Sequence, residues 1–500
     1  MPTHPLDLPE IVECIGHFLP LWTYELSESD NKLVTVFNPT TFHACMLVSK
    51  LWHQTLLPVL WADYDAEGMV RVPEKVLVRN SHHFRSFLLQ TVADCKIFGC
   101  TRLVKATLHP KVGNLKRVRQ MVQSNPGLKS LDYNGGACEC PLEPDDFAQL
   151  PQLEDLSLSD CDIYSSGSLG RVLALLAGSL RKLTLGGFTG CWGDIDWYKA
   201  VSGQGQSIEE SCNDGEFGDT PLLPLVEYLR VTGPPFGPDP TGLVRRCSNL
   251  ARLDLTLSKD ISESKSHHLT QRISNSISKH CPKLSSLALR GSLYRDQKEA
   301  LIRACVATNS LSELVVVVPS VGQDTIDSIA LHASALETLG ILNTTNDDAD
   351  LDLLFQLPRR CPRLKWFSVA AWSCTDTPGR TVLNALKRSS IERCHHLEIL
   401  DVDIQGPSRD EMEENDVVLL AKLFKNGPLE GWYYHSEKSD IPGDEDDYEM
   451  STSLVYDLFK AVEGLKFKRL RQLRWSGAMF TRSSSRASAK YDGVPFIYFY

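Results

Sequence analysis

The stretch HCPKLSSLALRG, residues 280–291, decides the architecture. Leu284, Leu287 and Leu289 are spaced as L-x-x-L-x-L. The last two alternate as in a short strand that turns every second side chain inward, and the first closes the same core from the preceding turn. The phrase returns as LKSLDY from Leu128, LEDLSL from Leu153, LRKLTL from Leu180 and LARLDL from Leu250. It continues as LSELVV from Leu311, LETLGI from Leu336, LKWFSV from Leu364, LEILDV from Leu397, LEGWYY from Leu429 and LRQLRW from Leu470. VEYLRV from Val226 and LVKATL from Leu103 join the series. Neighbouring copies lie about 24 to 34 residues apart, and two longer gaps each hold a polar insertion.

Between the copies run helical patterns such as SLGRVLALLAG, KEALIRACVATN and DLDLLFQLPRRC. One strand and one helix cannot bury an apolar face alone, so such units stack, with parallel strands on one side and helices outside. Cys247, Cys281, Cys361 and Cys394 each stand three residues before a repeat leucine, where a small buried side chain closes the helix against the next strand. These thiols read as structural. The portion from about 100 to 480 resembles the leucine-rich-repeat horseshoes, particularly those whose strands are entered by C-P-x-L. It lacks the regular asparagine of the best-formed repeats.

Composition narrows the function. The 500 residues carry net charge −11, against a sequence-independent grip on nucleic acid or anionic membrane. No basic flank and apolar core open the chain, and no apolar run approaches the ~20 residues of a bilayer span. The expected compartment is cytosol or nucleus. The fifteen cysteines contain no C-x-x-C pair, and neither Cys138/Cys140 nor Cys394 with His395 and His396 makes a zinc set, so no metal or cofactor is expected. Phosphate-loop, H-E-x-x-H and G-x-S-x-G motifs are absent, and Asp401 and Asp403 form an isolated pair on a repeat strand, so no enzyme is expected.

The N-terminus departs from the repeat. LDLPEIVECIGHFL, residues 6–19, reads as an amphipathic helix with Asp7 as N-cap and Pro9 just inside. A second helical pattern from about Thr41 stacks Leu47 on Leu51 and Val48 on Trp52, and a third short element carries Leu56 to Trp61. The apolar content exceeds what so small a bundle hides, which marks a docking surface. LPEIVECIGHFL with CMLVSKLWHQTLLPVLW resembles the F-box, over residues 6 to 62. That resemblance implies a Skp-type adaptor bridging to a cullin scaffold, with Leu8, Pro9, Ile11, Ile15, Val48, Lys50 and Trp52 facing the adaptor. The segment between the first two helices is much longer than the usual F-box linker.

The expected organisation is therefore α/β. An F-box-like helical bundle at 1–62 and a connecting segment at 63–100 lead to a leucine-rich-repeat solenoid at 101–480, with acidic loops at 202–220 and 436–450 and a tail at 481–500. Outward strand positions give the candidate substrate surface. Early copies place Asp155, Ser157, Lys182, Thr184, Arg230, Arg252 and Asp254 there. Later ones place Val315, Val317, Leu342, Trp366, Ile399, Asp401, Asp403, Tyr433 and Arg474, an apolar patch rimmed by charge. The expected role is a substrate-recognition subunit of an SCF-type ubiquitin ligase. The alternative is a repeat scaffold without a link to ubiquitin.

Overall fold

In the computed structural model, the phrase L-x-x-L-x-L forms the strand entry that its alternation predicts. The structure describes residues 5–26, 33–89, 100–109, 115–139, 142–162, 166–186, 223–232, 240–257, 263–291, 293–306, 310–318, 321–343, 348–371, 394, 396–404, 432–434, 472–475 and 478–481. The insertions at 202–220 and 436–450 and nearly all of the tail lie outside these residues. The chain divides into two compact units, Met1–Leu250 and Ala251–Tyr500.

The first unit opens with a 3-10 turn, Pro5–Asp7, and helix α1, Pro9–Phe18. Its N-cap is Leu8, extended at φ −94° and ψ 118° and without a side-chain cap, so the cap position falls one residue after Asp7. Pro9 at the first helical position compensates in part, because the N–H it lacks would be unpaired there anyway. The long linker that follows is a β-hairpin of β1, Trp22–Leu26, and β2, Leu33–Phe37. Two helices come next, α2 (Thr40–Met46) and α3 (Lys50–Leu60), in place of a helix from Thr41 and a third element. Ser49 makes the break: it is extended, and its hydroxyl caps α3 by accepting the Trp52 N–H at 3.2 Å.

Strands begin earlier than the leucine phrase indicated. β3 (Asp63–Asp65) and β4 (Ser86–Leu89), joined through helix α4 (Glu74–Asn80), lie inside the segment read as a connection. Their inward residues are Tyr64, Phe87 and Leu89, which is why the leucine pattern missed them. Parallel partners follow as β5 (Lys105–Leu108), β6 (Ser130–Glu139), β7 (Asp155–Asp162), β8 (Lys182–Gly186) and β9 (Tyr228–Thr232). Helices α5 (Leu115–Gln123), α6 (Pro144–Phe147), α7 (Ser166–Leu176) and α8 (Pro240–Arg246) intervene or follow.

The hairpin seals this first edge. Phe37 N–H donates to the Gly68 carbonyl at 3.0 Å, and a Cβ on Gly68 would stand 2.7 Å from the Trp22 ring. Aromatic contacts run from Trp22 to Phe37 (5.4 Å between centroids), Phe37 to Trp61 (5.6 Å) and Trp61 to Phe84 (6.4 Å). They continue from Phe84 to Tyr64 (5.2 Å) and from Tyr64 to Phe87 (4.8 Å). The long linker is thus a cover for an edge strand, a feature that otherwise invites wrong pairing.

The second unit repeats the plan through β10 (Arg252–Leu257), α9 (Glu263–His280), β11 (Ser286–Gly291), α10 (Arg295–Val306), β12 (Glu313–Val318), α11 (Gln323–Ala330), β13 (Thr338–Asn343), α12 (Asp348–Arg360), β14 (Trp366–Ala371) and β15 (Ile399–Ile404). Neighbouring strands are parallel. The LEGWYY segment is not another parallel turn. Its strand β16 (Trp432–Tyr434) pairs antiparallel with β18 (Ala478–Thr481), and β15 pairs directly with β17 (Gln472–Trp475), which itself turns back antiparallel onto β18. In both units the strands line up a core row, Leu131, Leu156, Leu183 and Leu229 in one and Leu253, Leu287, Leu314 and Leu339 in the other, all at 0% exposure. The chain is an α/β leucine-rich-repeat solenoid, with helices on one face of parallel strands.

The cysteine position is what the repeat made of it. Cys247 and Cys281 are fully buried and Cys361 nearly so, while Cys394 is half-exposed. Burial pushes the Cys281 and Cys361 thiols up to about 12, so they stay protonated and inert. Two other residues do more at the same junction. Asn125, also three residues before a repeat leucine, donates to the carbonyls of Cys100 (2.8 Å) and Met121 (2.6 Å) and accepts the Leu103 N–H at 2.8 Å. His332, at 0% exposure, accepts the Leu311 N–H on Nδ1 at 3.0 Å, and its Nε2 is 2.9 Å from the Ile302 carbonyl. Each ties its repeat to the backbone entering the preceding strand.

Protonated His332 would have no acceptor for the Leu311 N–H, and burial holds its pKa below the ordinary 6.5. The unfolded chain therefore takes up the proton first as the pH falls. The contribution is whole above about 6.5 and is lost as the pH drops through the folded value. His332→Asn keeps an acceptor at the Nδ1 position and cannot titrate. Thermal melts should show it about 1 kcal/mol less stable at neutral pH, with a smaller loss than the parent between about pH 7 and about pH 5.

Candidate functional site

Two surfaces hold the residues singled out from sequence. The first is the helical bundle. On α1, Val12 is at 0% exposure and Gly16 is buried, and a Cβ on Gly16 would stand 2.7 Å from Leu56 Cδ2, so α1 and α3 touch nearly backbone to side chain. Beside this covered stripe runs a second one at spacings of three, four and three. It consists of Leu8 (39% exposed), Ile11 (40%), half-buried Ile15 and Phe18 (78%). The apolar face of α1 is wider than the bundle covers. The turn between α2 and α3 adds Leu47 at 74% and Val48 at 66%.

Pro9 and Lys50 are exposed at the starts of α1 and α3. Trp52 is half-buried, and its indole N–H donates to the Leu6 carbonyl at 3.3 Å, fastening the Pro5–Asp7 turn over α3. By contrast, Leu60 and Trp61 are buried toward the first strands. Five of the seven candidates thus stand on α1 and α3, with Leu8 at the N-cap of α1 and Val48 on the turn before α3.

The second surface is the strand face opposite the helices, where three rows of side chains cross the strands. In the second unit the middle row is Asp254, Ala288, Val315, Gly340, Ser368, Asp401 and Arg474 by register. From Asp254 to Ser368 this row is sunk: Asp254, Ala288 and Val315 are each at 1% exposure, and Ser368 is at 4%. Val315 and Asp254 were expected outside and are not. Val315 leans over Gly340, where a Cβ would lie 3.5 Å from its Cγ2, and the rows on either side carry the longer side chains. Asp254 is drawn in by Arg290, 3.6 Å away.

Those flanking rows are half-open. One carries Glu313, Thr338, Trp366 and Ile399, and the other carries Arg290, Val317 and Leu342. Val317, Leu342, Trp366 and Ile399 therefore do share an accessible face, and Asp401 joins it, accepting the Ser368 hydroxyl at 3.3 Å. The Trp366 indole N–H is buried without a hydrogen-bond partner among the described residues. Arg252 pairs with Glu313 at 3.3 Å on the polar side. Asp403 pairs by backbone with Ala370, Arg474 with Asp401, and Tyr433 with Met479 on the antiparallel edge, away from the parallel rows.

The early copies behave as their composition indicates: Lys182 is exposed, and Asp155, Ser157, Thr184 and Arg230 are half-exposed. Burial is the largest influence on Asp155 and, with help from Asp132, raises its carboxyl above the usual range. Among the described residues no group of three or more His, Cys, Asp or Glu side chains is placed to hold a metal, and no helix is long and apolar enough to cross a membrane.

No family model matches the chain, and no curated protein matches it by sequence. Among solved structures, it is similar to a chain in the crystal structure of the Rad7 and Elc1 complex in yeast, at 14% identity and TM-score 0.39, covering 75% of this chain and 91% of that one. An internalin from Listeria monocytogenes gives 12% identity and TM-score 0.30, covering 80% and 90%. The leucine-rich-repeat protein LegL7 from Legionella pneumophila gives 12% and 0.31, covering 57% and 90%.

The sunken middle row has a direct consequence. Val315→Asp should destabilise the chain by about 3 kcal/mol or more, since it buries an unpaired charge. Val317→Asp, on the half-open row of the same strand, should cost under about 1.5 kcal/mol. Denaturant titration of the two variants compares them.

Proposed function

We propose that this chain is a non-catalytic receptor that holds a protein substrate on its strand face and a Skp-type adaptor on its N-terminal helices, as a substrate-recognition subunit of a cullin-based ubiquitin ligase. The observation that carries the reading is the uncovered stripe Leu8, Ile11, Ile15 and Phe18 on α1, with Leu47 and Val48 at the adjoining turn. Burying a side chain of that kind contributes roughly 1.5–3 kcal/mol, which a partner helix supplies and water does not. Positions 8, 9, 11, 15, 48, 50 and 52 match the F-box pattern. The hairpin leaves their exposure intact, because Trp22 and Phe37 are turned toward Gly68 and Trp61.

For the substrate, the reading rests on the half-open Val317, Leu342, Trp366 and Ile399, beside charged Glu313 and Asp401. An apolar centre with a polar rim is the usual anatomy of a protein-binding face. The chain itself carries out no bond-making step here; it raises the local concentration of substrate near enzymes held by its partners. Such a receptor works in the cytosol or nucleus.

Ile11→Asp combined with Trp52→Ala should abolish capture of a purified Skp-type adaptor while the circular dichroism of the repeats stays unchanged. Retained capture would remove the helices from the interface. Trp366→Glu should lower recovery of substrate proteins in a pull-down by roughly tenfold or more with adaptor capture intact. An unaltered set of captured proteins would exclude that face.

A further inference from the structure

The chain holds 63 acidic and 52 basic side chains, yet one flank of the first unit runs the other way. On α4, Lys75 and Arg79 are one helical turn apart and share a face, while Leu77 turns into the core at 6% exposure. A 3-10 turn, Ser81–His83, follows at once, its two histidine rings 3.9 Å apart between centroids. Arg85 comes next, and its carbonyl accepts the N–H groups of Val104 (2.7 Å) and Lys105 (3.0 Å), which brings the Arg102 segment alongside. His83 feels this crowd: after burial, the positive fields of His82, Arg102 and Arg85 lower its pKa.

Four cations elsewhere in this unit are neutralised by ion pairs. Along the same strand-entry row Lys129 meets Glu154 at 3.6 Å and Arg181 meets Glu227 at 3.0 Å. Arg119 holds Glu143 and Asp146, and Arg171 holds Asp145. Lys75, Arg79, Arg85 and Arg102 are exposed and form no ion pair among the described residues. Apolar surface accompanies them. Val70 is 78% exposed, Val78 53% and Val76 38%, and a cleft of about 710 Å³ is lined by Pro73, Glu74, Lys75, Val78 and Arg79.

We propose that this flank docks an acidic segment of a partner protein that also carries apolar side chains. Its carboxylates meet Lys75, Arg79, Arg85 and Arg102, and an apolar side chain enters the cleft beside Val78. Charge complementarity selects the acid, and the exposed valines select protein over nucleic acid, since a phosphate backbone offers them nothing to pack on and no aromatic platform for bases stands among the lining residues. The surface is separate from the α1 stripe and does not depend on the ligase reading.

The test is fluorescence anisotropy on the intact chain with three labelled probes: a peptide of repeated Glu-Glu-Leu triplets, the same peptide with Gln for Glu, and a single-stranded oligonucleotide of equal charge. The Glu peptide should bind saturably, weaken roughly tenfold in Lys75→Glu/Arg79→Glu, weaken in Val78→Ser, and weaken as salt shortens the Debye length. Ile11→Asp should leave it untouched. No saturable binding, equal binding by the Gln peptide, indifference to Lys75→Glu/Arg79→Glu, or tighter binding of the oligonucleotide would overturn the proposal, the last pointing to nucleic acid.

Discussion

The stacked repeats of both units depend on one backbone arrangement that recurs at the parallel strand entries within each unit. The carbonyl just before one strand accepts two successive N–H groups from the entry of the next: Glu154 accepts from Arg181 and Lys182, Arg181 from Glu227 and Tyr228, Ser312 from Glu337 and Thr338, and Glu337 from Lys365 and Trp366. This fixes the register, so every third and fifth residue after the entry leucine points into the core. Buried leucines then face helices on one side, and the rows between them lie on the opposite face. A repeat of this kind has no independent stability, and its ends are its weak points. The hairpin of β1 and β2 answers that at the start of the first unit. At the other end of the second unit the chain turns antiparallel, through β17, β18 and β16.

The strand-entry junction also shows how irregular repeats stay together. A buried cysteine suffices at Cys247, Cys281 and Cys361 by filling space. Asn125 and His332 instead satisfy backbone groups that would otherwise be buried unpaired. The price of using a histidine is sensitivity to acid, which asparagine does not have.

Most of the fold was legible in the sequence, because L-x-x-L-x-L reports both strand direction and inward face. What it hid has physical reasons. β3 and β4 are entered by aromatic residues, Tyr64 and Phe87, where the pattern relies on leucine. The hairpin lacks a tight-turn signal such as Asn-Gly. Ser49 divides α2 from α3 through a side-chain cap, although the apolar spacing of Leu47/Leu51 and Val48/Trp52 runs on across it. On the strand face, alternation told in from out, and so found Val317, Leu342, Trp366 and Ile399. It could not tell that Val315 and Asp254 sink between longer neighbours, since that depends on the small residues Ala288 and Gly340 on adjacent strands. On the bundle, the surplus of apolar residues was visible at once, and only packing could assign Val12 and Gly16 to the core and leave Leu8, Ile11 and Phe18 uncovered. The basic flank around α4 has no signature in the sequence, because Lys75, Arg79, Arg85 and Arg102 are spread over nearly thirty residues and only the fold carries them on one helix and two neighbouring strand entries.

The docking surface proposed for an adaptor is the uncovered stripe of α1 together with the turn before α3. Hydrogen–deuterium exchange on the intact chain, with and without a purified Skp-type adaptor, tests it most directly. Added protection is expected in peptides spanning residues 8–18 and 47–52, with the strands from β5 onward unchanged. No added protection in either peptide at saturating adaptor, or protection confined to the strands, would contradict it.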